Sequence, residues 1–430
     1  MMNLPISEHP LRNALNHELH ARPPLPIAGP CWISHLSILH ESNARQAEEQ
    51  HLNRLCTLFD HDVCPLVEGD HWVLEIHLPN ETILRLKWEY HNEFSSYTFY
   101  LDRGPDDAPE TTALMAVPVE WLSAIPGSVI AAAHIEFKQA EGDNRQPDAA
   151  SDMVCCQVAD GAASVLSDFK LHQGFSRFVV IDQNLRRRQA GRTIQRLVEI
   201  DTYAMLALLT FPVAKEVSRL LAQSDENLRD VMRDMTADRT ATDERHLLGQ
   251  LTRLAAEVEE SVSRTAFRFG AATAYYRLVQ QRIEDLREIR VDGFPPISEF
   301  MDRRLAPAIN TCKSVAARQQ DLSSRIARKS ALLRTRVDIA LEQQNLELLA
   351  QMNRRAHMQL RLQETVEGLS VVVLTYYGSQ LIQYLAKGTK EFHHLSTDVI
   401  TAISIPIIAG LVFWGSRKTR RKLLSPESST

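Results

Sequence analysis

Two stretches near the C-terminal end depart from the mixed apolar and polar texture of the chain. Residues 368–386 (GLSVVVLTYYGSQLIQYLA) run for 19 positions without a charge, and residues 399–416 (VITAISIPIIAGLVFWGS) for 18. At about 1.5 Å of rise per residue, each helix approaches the ~30 Å thickness of a bilayer's hydrocarbon core. The pattern predicts a two-helix transmembrane hairpin: a first span over 368–386, a short external loop over 387–398 and a second span over 399–416. A pair of buried core helices is the alternative. Tyr384 and Trp414 sit near span ends, where amphipathic aromatics are favoured. Pro406 is tolerable in the second span because neighbouring helices satisfy a freed carbonyl.

The first span is not uniformly apolar. Gln380 and Gln383 are three apart, so they share a helix face with Tyr376 and, nearly, Tyr377. With Gly378, these residues form a candidate face that must meet another helix or water. Packing within an oligomer and a water-filled pore are both open readings.

Upstream, no proline occurs between Pro307 and Pro406 and no glycine between Gly293 and Gly368. Leu322, Ile326, Leu333, Val337, Leu341, Leu348 and Met352 recur at spacings built from fours and sevens, a helical stripe with coiled-coil character. A stalk helix over 297–367 continuing into the first span is expected. A helical hairpin region over 183–296 precedes it, read as helices over 188–223 and 226–289, punctuated by Pro212 and the polar SDEN stretch, 224–227.

The first 182 residues have a different rhythm. Residues 31–40 read as a strand and 42–60 as an amphipathic helix. Residues 71–78 and 82–90 alternate apolar and polar across Pro79-Asn80-Glu81, a hairpin signature. Further strands are expected over 94–101, 129–137 and 176–181. This is a cytosolic domain of α+β (α/β-like) class.

Charge gives the hairpin its direction. The net charge of -6 is mild, and no nucleic-acid partner is expected. Residues 297–367 nevertheless carry 12 Lys/Arg against 8 Asp/Glu. Arg417, Lys418, Arg420, Arg421 and Lys422 follow the second span, and the loop between spans is nearly balanced. Positive flanks stay in the cytosol, so both termini are expected there, with the basic tail over 417–430. This is the topology of a multi-pass inner-membrane protein.

The six cysteines form no Cys-x-x-Cys pair, which points away from a disulfide framework and fits a reducing cytosol. Ten of the 16 histidines lie in the first 91 residues. His17 and His20 in HELH can share a helix face, but no matching ligand cluster follows, so neither metal nor cofactor is expected. There is no G-x-S-x-G, Walker or G-x-G-x-x-G motif, so no enzyme is expected. Arg186, Arg187, Arg188 and Arg192 form a basic run that reads as a solvated helix start, with lipid headgroups as the sharper alternative.

Three long segments carry a resemblance. HPLRNALNHELHARPP (9–24), GRTIQRLVEIDTYAMLALL (191–209) and TRVDIALEQQNLELLAQMNRRAHMQLRLQETVEGLSVVVLTYYGSQLIQYL (335–385) resemble the family named domain of unknown function 3422. That resemblance implies a membrane-anchored protein with no catalytic residues assigned. The order of elements is also similar to that of CorA-type divalent-cation transporters, pentamers whose first spans line the pore. The Gly-Met-Asn signature of that family is missing, because the outer end of the first span reads AKGTKEFHH. Magnesium selectivity therefore does not carry over. The expectation is a homo-oligomeric, non-enzymatic membrane protein that conducts an ion or solute. The alternative is a membrane-tethered scaffold or regulatory protein with a cytosolic protein partner.

Overall fold

The computed structural model describes residues 6, 8–13, 15–16, 23–40, 44–59, 70–79, 82–103, 111–140, 153–235, 241–388 and 397–423. It is a mixed α+β structure in which a sheet domain precedes long helices and an apolar C-terminal helix. It forms two compact units: Met1–Ala237 with Gly249–Ser330, and Asp238–Leu248 with Ala331–Thr430.

The first unit is built on a nine-stranded sheet, ordered β2-β3-β4-β1-β5-β8-β7-β6-β9. Its strands are β1 (Cys31–Leu39), β2 (His71–His77), β3 (Ile83–Tyr90), β4 (Phe94–Asp102), β5 (Ser128–Gln139), β6 (Val154–Val158), β7 (Ala163–His172), β8 (Phe175–Asp182) and β9 (Ile289–Arg290). Only β5 and β8 pair in parallel among these neighbours. The 71–78/82–90 hairpin is present, with Trp72 opposite Trp88.

Helices cover both faces. On one face, α1 (Arg45–Leu58) and the short α2 (Val119–Ser123) bring Leu52, Leu55 and Trp121 onto Leu74, Leu84, Trp88 and Phe99. On the other, α3 (Arg187–Leu208) lays Ile194, Leu197 and Val198 on Ile33, Ile135 and Val180. Gly191 permits the close approach of α3: a β-carbon there would meet the Leu25 carbonyl oxygen at 1.9 Å.

After α3 come α4 (Thr210–Met235), α5 (Ala241–Leu286), α6 (Ile297–Arg304) and α7 (Ala306–Gly388). The helix break expected at 224–227 is absent, since SDEN lies inside α4. The break falls at Leu209, where Pro212 can occupy the first turn of α4 without forfeiting a hydrogen bond. The stalk is likewise divided at Leu305, just before Pro307. Strands β6, β7 and β9 were not expected from the sequence. Cys56 is disulfide-bonded, contrary to the expectation of reduced thiols. Cys31, Cys155, Cys156 and Cys312 are buried and free.

In the second unit, the stripe on α7 is buried only at its start. Leu333 and Val337 are buried, whereas Leu348 is 52% and Met352 66% exposed. Arg336 pairs with Glu244 at 3.0 Å. The last helix, α8 (Thr397–Leu423), packs on α7 where Gly378 faces Ile408.

Candidate functional site

The sheet's two faces differ in chemistry, and the strand register shows where. One row across four strands runs Val73, Lys87, Thr98, His35, and the next runs His71, Glu89, Ser96, Ser37. Period-2 alternation sends Lys87 and Glu89 to the side facing α3, and Leu86 and Trp88 to the apolar side. Lys87, Glu89, His35, Ser96 and Thr98 are all buried. This is a polar site inside a core, closed by Gln195, Glu199, Thr202 and Tyr203 of α3.

Its groups are largely matched. Lys87 Nζ lies 3.0 Å from Glu89 Oε1. His35 Nδ1 bonds to Thr98 Oγ1 at 2.8 Å, and its Nε2 to Ser37 Oγ at 3.0 Å. The hydroxyls of Ser37 and Thr202 bond at 2.8 Å, which ties β1 to α3. Burial pushes His35 down to about 3, assisted by the charges of His91 and Lys87, so the ring is neutral at pH 7. Burial and the charge of Glu89 push the Tyr100 phenol well up. The Tyr100 hydroxyl has no hydrogen-bond partner among the described residues and lines a cavity of about 20 Å³. That volume takes about one water-sized guest.

The rim is tied down from α5. Arg268 Nη2 bonds to Glu93 Oε1 at 2.5 Å, and the Tyr275 hydroxyl donates to Glu93 Oε2 at 2.7 Å. Arg282 pairs with Glu199 on α3. The site has a neutral imidazole, a mutually neutralised ion pair and no room for a substrate. Its chemistry is recognition of one small polar guest, or fixing of helix on sheet. On the apolar side, Glu48 is also fully buried: Oε2 accepts from Trp88 Nε1 at 2.8 Å and from the Tyr97 hydroxyl at 3.2 Å, while Oε1 has no partner among the described residues.

The residues singled out in the first span and the basic tail lie elsewhere, in the second unit. Gly378 faces α8, and Gln380 and Gln383 are half-buried. Tyr376 and Tyr377 point outward, 59% and 67% exposed. The polar face thus differs in exposure, its glutamines half-buried and its tyrosines exposed. Ser379 and Ser404, one on each helix, are buried. Lys418 Nζ lies 4.9 Å from the Trp414 ring centroid, and Arg417 lies over Phe413. Arg420, Arg421 and Lys422 continue α8. His17 and His20 lie outside the described residues. Arg186, Arg187, Arg188 and Arg192 are exposed at the start of α3, as a solvated helix start requires. No group of three His, Cys, Asp or Glu converges to hold a metal among the described residues.

The sequence reading missed His35, Lys87 and Glu89. Lys87 and Glu89 occupied the polar positions of an alternating strand, which read as a solvated face. The signal available was Ser96, Thr98 and Tyr100 repeating that polar parity on the next strand.

Among the described residues, two helical stretches are long and apolar enough to cross a membrane: 187–235, spanning α3 and α4, and 398–418 in α8. The most apolar 18-residue window of the first is 61% buried, within a core element of the sheet unit, whereas that of the second is 6% buried. Residues 368–386 are not among them, because three tyrosines and two glutamines dilute that run.

The family model described as protein of unknown function (DUF3422) matches residues 7–423. No curated protein matches the sequence at a significant level.

Proposed function

The chain belongs to that family of unknown function over nearly its whole length, and from this premise we propose that it is a membrane-tethered, non-enzymatic protein. In this reading, residues 368–386 and 399–416 form a transmembrane hairpin in the inner membrane. The sheet unit lies in the cytosol and works by binding a partner.

One observation carries the reading: the apolar helix at 398–418 leaves its surface uncovered, with Ile403, Ile407, Leu411, Phe413 and Trp414 each more than half exposed. At about 25 cal/mol per Å² of apolar area, water is a poor surrounding for such a helix. A bilayer removes that cost. The cation-over-aromatic pairs at Trp414 and Phe413 suit an interface, where rings sit at headgroup level and basic tips reach water. Leu346, Leu349, Met358, Leu360 and Leu362 add exposed apolar surface along α7. A second copy of the chain covers it as a homo-oligomeric coiled coil.

Resistance to alkaline carbonate extraction tests the anchor, and reporter fusions at Thr389 and Thr430 test its direction. Release of the protein by carbonate, or a periplasm-active reporter at Thr430, refutes the proposal.

Conduction along the first run is the second reading, favoured by the outward Tyr376 and Tyr377. Half-buried Gln380 and Gln383 favour the tether, because a pore-lining position is open to water. Flux through reconstituted liposomes separates the two. A conducting protein loses flux when both glutamines become leucine while the oligomer survives. A tether shows no flux in the wild type.

A further inference from the structure

Away from the polar site, the first unit carries an open groove between β7, α3 and α6. Ala204, Met205 and Leu208 form one wall, and Met301, Leu305 and Phe300 the other. This part encloses about 380 Å³ and adjoins a second recess of about 470 Å³ beyond Phe300. Both values suit a small-molecule site.

Three observations give the groove a ligand chemistry. First, a kink in β7 re-aims an aromatic into it. Between Ser167 and Leu171 the register shifts, and Phe169 adopts φ +51°, a left-handed conformation that a bulky side chain rarely takes. Its ring consequently stacks on Phe300 with centroids 4.6 Å apart. Bulges of this kind turn a side chain toward a site.

Second, the floor holds a carboxyl. Asp201 is 9% exposed, and Ser176 Oγ donates to its Oδ1 at 3.2 Å. Its Oδ2 has no hydrogen-bond partner among the described residues. Burial pushes this carboxyl up to about 6.

Third, the rim is cationic. Lys170, Arg303 and Arg304 stand around it, with Asp168 the one acidic group among them. Asp168 already accepts from the Lys170 backbone N–H and contacts His172 Nε2 at 2.7 Å. Arg303 is paired with Glu299, whereas Arg304 makes no ion pair among the described residues.

We propose that the groove binds a medium-chain amphipathic anion, its apolar body along Met205, Leu208, Met301 and Leu305 and its head on Arg304 and Lys170. Asp201 then meets the bound molecule as a neutral acid. An anion held beside Asp201, Asp168, Lys170 and Arg304 favours the protonated floor, so affinity increases as pH falls through about 6. The source of the anion is a free acyl carboxylate or a single-chain phosphate, which share this chemistry.

Titration calorimetry on the detergent-solubilised full chain, against protein-free detergent buffer, tests the site with decanoate, decyl phosphate and decylamine. Wild-type protein is expected to bind one of the two anions with micromolar affinity. Whichever binds more tightly assigns the source. Arg304→Glu, an exposed change that leaves the core intact, is expected to weaken binding at least tenfold. Met205→Trp fills the groove and abolishes binding. Asp201→Asn flattens the pH dependence of decanoate binding near 6 and keeps the binding. No binding of either anion by the wild type overturns the proposal. So does decylamine binding at least as tightly, which makes Asp201 a cation site. Affinity unmoved by both Arg304→Glu and Met205→Trp places the ligand elsewhere and overturns it too. None of these readouts depends on the hairpin spanning the bilayer.

Discussion

Lys87 and Glu89 stand two positions apart on one strand, on the same face, and their charges meet at 3.0 Å inside the sheet domain. Breaking a buried pair leaves its partner's charge without compensation, whereas removing both charges does not. Lys87→Met is expected to cost about 3–5 kcal/mol. The double change with Glu89→Leu should recover most of it. Denaturant unfolding of the full chain in detergent, followed by tryptophan fluorescence, measures both. A double variant as unstable as the single one contradicts the pairing.

His35 makes the domain sensitive to acid. Its folded form is held neutral down to about 3, while the unfolded imidazole titrates near the usual 6.5. Below 6.5 the unfolded chain takes up a proton that the folded chain refuses, so stability is lost as pH falls from 6.5 toward 3. By pH 4 the loss is on the order of 3 kcal/mol from this residue. Lys87 and His91 both oppose its protonation. His35→Gln should lower stability at pH 7 but flatten the slope between pH 6.5 and 4. An unchanged slope would show that other groups set the acid limit.

Gly378 sets how closely the two C-terminal helices approach. A β-carbon there comes within 3.0 Å of Ile408 Cγ2, the movable end of a side chain. Gly378→Ala is therefore tolerated by a small shift, and Gly378→Leu forces the helices apart. Overpacking of this kind costs about 1–3 kcal/mol. Adding Ile408→Ala to Gly378→Leu should restore the lost thermal stability, measured as Tm in nanodiscs. A failure to restore it would mean that the leucine acts at another contact.

The stripe along α7 divides at Val337. Val337→Asp places a charge among buried groups and should strongly lower Tm. Leu348→Asp changes a residue already 52% exposed, so the single chain should be as stable as before. If a second copy covers that face, Leu348→Asp instead reduces the assembled mass in light scattering. A fall in monomer Tm from Leu348→Asp would contradict the position of this residue.

The strands that carried clear alternation were legible, and β1 to β5 and β8 lie close to where the pattern placed them. Strand β7 was missed because Asp168, Lys170 and His172 look like loop chemistry. They prove to be the polar end of a kinked strand, and its kink is visible only in backbone angles. Strand β9 is two residues long and exists because β6 needs a neighbour, which no local pattern announces. The functional reading put the chemistry in Gln380 and Gln383, because polarity in an apolar run is conspicuous. Lys87 and Asp201 escaped notice because burial of a charge depends on what folds over it. The heptad-like spacing around Leu348 and Met352 was read correctly as a helix, but burial along it ends at Val337 within one chain.

Strand β9 has a consequence for the order in which the protein is made. It pairs with β6 through Gln157 and Cys156, more than a hundred residues earlier in the chain. Until Ile289 and Arg290 leave the ribosome, β6 is an open edge whose backbone groups can pair with any other strand. About two-thirds of the chain must therefore be synthesised before β9 can cover the β6 edge. Nascent chains stalled before that point present a template for aggregation, and chaperone demand should be greatest there. Truncation after residue 285 is expected to yield insoluble protein, whereas truncation after residue 330 keeps β9 on the β6 edge.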